Sequence, residues 1–95
     1  MSENRYPQKE AAYIEKAKIF GQNLRTARKE MGHTMEAFAK GIGVTTAYIG
    51  LIERGERTPS FQTLIKICEF VGQDIGLMLV AKEGADAPAP KKGKK

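Results

Sequence analysis

Apolar residues recur along this chain at helical spacing, and glycines mark where each run stops. Tyr13, Ala17, Phe20, Leu24, Ala27 and Met31 stand at intervals of 4, 3, 4, 3 and 4 residues, which aligns them on one stripe of an amphipathic helix. Pro7 is acceptable only near the start of that helix. Gly32, just past the last apolar position, is the left-handed stop, and Arg28 and Lys29 suit the negative end of the helix dipole. The pattern predicts a first helix over about 9–31, with Gly21 as its weak point.

Three shorter runs follow. Thr34 is a candidate cap for a second helix with Glu36 in its first turn and Phe38, Ala39 and Ile42 on its apolar face; Gly41 and Gly43 end it within about two turns. Thr45 caps a third run that ends at Glu53, in which Ile49 and Ile52 share a face. Arg54 to Pro59 form a polar loop whose glycine and proline both break helices. Ser60 then caps a fourth helix, with Phe61, Leu64, Ile65, Cys68 and Val71 on its stripe and Gly72 at its end. Ile67 and Phe70 lie off that stripe, so a further element has to cover a second face of this helix.

Residues 74–82, DIGLMLVAK, are the candidate cover, and periodicity leaves their form open. As a helix, Asp74 is the cap and Ile75, Met78 and Leu79 face inward; as a strand, Ile75, Leu77, Leu79 and Ala81 alternate with Gly76, Met78 and Val80. The interior glycine and nearly unbroken apolar run tilt the reading toward a strand, which needs to pair with the same strand of a second subunit. In either form, Ile67, Phe70, Ile75, Leu77 and Leu79 mark 67–82 as the expected dimer surface.

The length of 95 residues fits one small domain, expected over 9–82, between an N-terminal tail at 1–8 and a disordered Ala/Pro/Lys tail at 83–95. The formal net charge is +5, but four lysines lie in the last five residues, and removing them leaves +1 for residues 1–90. Basicity is thus mainly a property of the tail, read either as a solvated spacer or as a phosphate-binding arm. The N-terminal MSENRYPQKEAAY is too polar for a signal peptide, and no apolar run approaches the length of about 18 residues that spans a bilayer. A cytoplasmic protein without a membrane partner is expected. One cysteine, Cys68, and one histidine, His33, are too few for an internal disulfide or a zinc site, so no metal is expected. The sequence has no paired carboxylates, nucleophile elbow or glycine-rich phosphate loop, which argues against an enzyme and against a bound cofactor.

Two short helices joined through Gly43-Val44-Thr45 are the helix-turn-helix plan. The order of residues across 24–79 sharpens that plan: Leu24, Arg25 and Arg28; Gly32, Thr34, Glu36, Phe38 and Ala39; Gly43-Val44-Thr45; Ile49 and Ile52-Glu53-Arg54-Gly55; Pro59-Ser60, Leu64 and Ile65. This order resembles the Cro and phage-repressor type of helix-turn-helix protein, the Xre family, over somewhat more than half of the chain. The resemblance implies a mainly α, lambda-repressor-like domain of four to five helices that binds double-stranded DNA. It also implies a buried ion pair between Arg28 and Glu53, and base contacts at Met35, Thr46, Ala47, Gly50 and Leu51.

This chain departs from the family at the base-contact positions, where relatives often carry Gln, Arg, Ser or Asn. Thr46 keeps a hydroxyl, and Met35, Ala47 and Leu51 are suited to thymine methyl groups. Tyr48 either offers its phenol to the DNA or covers the core. Thr34, Arg54 and Arg57 are the candidates for positioning on phosphate, with Arg25 and Lys40 adding charge from the side, and Thr45 opens the segment expected in the major groove. The expected function is a homodimeric, sequence-specific transcriptional regulator, either a repressor or an autoregulator. The alternative is an interaction module, such as an antitoxin-like protein that binds a toxin and reads DNA weakly.

Overall fold

Three helices of this protein begin on a hydroxyl. Thr34, Thr45 and Ser60 hold extended backbone angles, and their side-chain oxygens accept hydrogen bonds from the amides of Ala37, Tyr48 and Thr63 at 3.0, 3.1 and 3.2 Å. These bonds satisfy donors that a helix start otherwise leaves unpaired. The computed structural model describes residues 7–81, with side chains from residue 12 onward. Five helices follow in order: α1 (Pro7–Glu30), α2 (Met35–Ile42), α3 (Thr46–Glu53), α4 (Phe61–Val71) and α5 (Ile75–Met78). Among the described residues there is no strand. The tail at 83–95 and residues 1–6 of the expected N-terminal tail lie outside them.

A single core unites the helices: Phe20 and Leu24 from α1, Phe38, Ala39 and Ile42 from α2, Ile49 and Ile52 from α3, Ile67 and Cys68 from α4, and Met78 from α5. The predicted stripe of α1 is right in its middle and wrong at its ends, since Tyr13 and Met31 are exposed while Ile19 is buried. Gly21, expected only as the weak point of α1, has a packing role. A Cβ on Gly21 would stand 2.2 Å from the carbonyl oxygen of Ile52 and 2.6 Å from that of Glu53, so α1 crosses the end of α3 backbone against backbone. Gly21 is the contact point of two helices, where any side chain collides with main chain that cannot move aside.

Residues 74–81 are not a dimerising strand. Leu77 and Met78 donate their amides to the carbonyl of Asp74 at 3.0 and 3.2 Å, forming the short α5. Its end is clasped from α1, where the buried Asn23 donates through Nδ2 to the carbonyls of Met78 at 2.7 Å and Val80 at 3.0 Å. Lys16 Nζ donates to the carbonyl of Leu79 at 3.3 Å. The carbonyls that a strand would offer to a neighbouring strand are thus engaged by α1 of the same chain.

The burial of α4 is turned relative to the predicted stripe. Ile67 and Cys68 are its buried residues, and Phe61 is 74% exposed. Ile67 is therefore not part of a subunit surface: it is fully buried in the core that contains Met78, so the cover expected over the second face of α4 is α5 of its own chain.

Candidate nucleic-acid interface

The turn between α2 and α3 is set by Gly43, which adopts φ +90° and donates its amide to the carbonyl of Ala39 at 2.8 Å. A left-handed residue here reverses the chain within three residues, and glycine adopts it without steric penalty. The helices that flank the turn are locked by packing. Arg28 donates from Nε to Glu53 Oε2 at 2.6 Å and from Nη2 to Oε1 at 3.1 Å, a two-pronged pair, and Nη1 donates to the carbonyl of His33 at 2.9 Å. Both partners are buried, and the hydrogen bonds to Glu53 hold the guanidinium above its ordinary basicity against the opposing effect of burial. The pair ties α1 at once to the end of α3 and to the loop that leads into α2.

This framework presents the first residues of α2 and one face of α3. The oxygens of Thr34 and Thr45 accept from backbone amides, which leaves each hydroxyl hydrogen for donation outward. Ala47 is exposed, and Thr46 and Leu51 are half-buried. Tyr48 is half-buried and packs against the core, which favours its covering role. Gly50 differs from its expected place on the exposed surface: it is buried. A Cβ on it would lie 3.2 Å from Arg54 Nη1 and 3.7 Å from Met35 Sδ, so these two side chains close over the helix there.

Met35, Gly50 and Arg54 also line a cleft of about 420 Å³ together with Gln22, Arg25 and Glu53. The structure thus assembles Met35, Gly50 and Arg54 with Arg25 and Glu53, all named from the sequence, and adds Gln22, whose Oε1 is buried without a hydrogen-bond partner among the described residues. The sequence signal for Gln22 was its position beside Gly21 and three residues before Arg25, on a face that only the close crossing of α1 and α3 defines. Arg57 is not part of this cleft. It is exposed and borders a mainly apolar groove with Tyr13, Phe20, Pro59 and Leu64.

Of the residues expected at a subunit surface, Ile75 and Leu79 are half-buried against the core and Leu77 is 55% exposed. Phe70 is largely engaged within the subunit, its ring 5.1 Å from Phe38 in an edge-to-face contact and lying over Gly41. Cys68 is buried, and burial first and the charge of Asp74 second push its ionisation upward. No group of three or more His, Cys, Asp or Glu among the described residues is placed to hold a metal. None of the described helices is long and apolar enough to cross a membrane.

A capped pair of short helices joined by a glycine turn, buttressed by three further helices, is a lambda-repressor-like DNA-binding domain. The helix-turn-helix family HTH_3 matches residues 24–77, and the chain belongs to this family of Xre/Cro-type DNA-binding domains. It is 48% identical over 44 residues to the uncharacterized HTH-type transcriptional regulator YazB of Bacillus subtilis (strain 168), covering 46% of this chain and 64% of that protein. The HTH-type transcriptional regulator SinR of Bacillus licheniformis is 32% identical over 66 residues, covering 68% of this chain and 60% of SinR. The chain therefore spans a little under two thirds of the length of these curated relatives.

Solved structures agree on the fold. The clp gene regulator ClgR from Corynebacterium glutamicum superposes with a TM-score of 0.63 at 26% identity, covering 67% of this chain and 82% of that one. The restriction-modification controller protein C.AhdI from Aeromonas hydrophila superposes with a TM-score of 0.60 at 29% identity, covering 65% and 94%. The family is one of HTH-type transcriptional regulators.

Proposed function

We propose that this chain is a sequence-specific repressor or autoregulator that binds operator DNA as a homodimer. In this reading each subunit lays Thr45 to Arg54 in the major groove, and two half-sites stand about one helical turn apart. The observation that carries the reading is the fixed α2–α3 pair, with Thr34 and Thr45 at the helix starts and Arg25 and Arg54 in the adjoining cleft. Helix starts and arginines hold phosphate, while Ala47 and Leu51 suit thymine methyl groups. With few polar groups toward the bases, DNA shape carries much of the remaining selectivity. The exposed Leu77 and Val80 on and after α5 are the apolar surface available to a second subunit.

A salt titration of binding to the DNA upstream of the protein's own gene, against scrambled DNA, tests this. Tighter binding to the upstream DNA, weakening linearly in log salt, is the expected result. Equal binding to both at every salt concentration sinks it and leaves the second reading, an interaction module that docks a protein such as a toxin. The apolar groove beside Tyr13, Phe20 and Pro59 is the feature that favours that second reading.

A further inference from the structure

The face that α3 turns outward lacks a donor fork. Thr46, Ala47 and Leu51 offer one hydroxyl and hydrocarbon, and the next position on that face, one turn after Thr46, is Gly50. Gly50 nevertheless is not empty surface. Arg54, the C-cap of α3, sends its side chain back along the helix so that Nη1 lies where it would meet a Cβ of Gly50 at 3.2 Å. We propose that Arg54, seated on Gly50, is the base-reading side chain that α3 itself lacks, and that it reads a guanine in each half-site. This rests on the operator-binding reading above and names the residue that gives it specificity.

Two features of the seat support the assignment. Glu56 Oε2 lies 3.3 Å from Arg54 Nε, the inner nitrogen of the guanidinium, whose two terminal nitrogens are Nη1 and Nη2. Those two nitrogens form the fork that matches the O6 and N7 acceptors of guanine in the major groove. The Arg54 side chain is 57% exposed, so the fork is open to a ligand while its inner side rests on Gly50.

The test is binding of the full chain to its operator and to a set of operators with single base-pair changes. The wild type is expected to lose about 5- to 150-fold at one G·C pair per half-site. Arg54→Ala, Arg54→Lys and Gly50→Leu should each abolish discrimination at that pair and leave the other positions unchanged, because lysine has no fork and leucine takes the seat. Gly50→Ala is the folding control, since a Cβ there meets only the flexible ends of Arg54 and Met35. If Gly50→Leu fails to fold, the two Arg54 variants carry the result. Uniform weakening of all sequences by Arg54→Ala, with the salt slope reduced by about 1, would mean a phosphate contact and would overturn the proposal. A wild type that does not distinguish operator from scrambled DNA fails at the earlier step, and that outcome overturns the regulator reading as a whole.

Discussion

At Gly21 two main chains meet with room for nothing larger than hydrogen, and the energetic sign of a substitution there follows. Helix propensity alone would make Gly21→Ala stabilising by about 1 kcal/mol. The clash with the Ile52 and Glu53 carbonyls reverses that, and urea unfolding is expected to show a net loss of about 1–3 kcal/mol. Periodicity sees only that a glycine weakens a helix, because the approach of another backbone leaves no trace in residue type. The Arg28–Glu53 pair was more legible, since its members sit at family positions. Removing one member strands a buried charge, so Glu53→Ala should lose about 3–5 kcal/mol by the same measurement. A double change to apolar residues of similar size should recover most of that loss, and no recovery would mean that the hydrogen bond to the His33 carbonyl is the larger contribution.

Among the elements, α2 and α3 were the most readable because each announces itself locally: a hydroxyl cap, an apolar pair at helical spacing and a glycine stop. The fourth helix and the segment after it were harder. Choosing between Phe61 and Ile67 as inward residues amounts to a rotation of the helix, and only α5 packed against it decides which side is covered. For 74–82 the deciding group was Asn23, a polar residue inside the apolar run of a distant helix. Asn23→Leu keeps the volume but withdraws both donors. It is expected to destabilise the domain by about 1–3 kcal/mol and to speed hydrogen exchange at Met78 to Val80 more than in α2. Equal exchange in both regions would show that packing, and not the amide, holds α5.

For the whole molecule, the proposed dimer depends on the apolar residues that α5 leaves outward. Leu77→Glu changes a residue that is 55% exposed and touches none of the core assignments, so thermal stability of the monomer should hold. Sedimentation should then show dissociation at concentrations where the wild type is dimeric; an unaltered dimer would assign the interface elsewhere. The net charge was a poor guide at this scale, because four tail lysines dominate it. The cleft that concentrates Arg25 and Arg54 arises only when α1 folds alongside α3. Asn23 has one more consequence here. It clasps α5 from the residue next to Gln22, which lines the cleft, so one stiff rod connects the proposed joint between subunits at one side with the proposed reading head at the other. In a dimer that rod acts as a caliper, setting the gap between the two heads. Loosening the Asn23 clasp should therefore show itself in tolerance of operator spacing, with operators lengthened or shortened by a single base pair becoming nearly as good as the natural one.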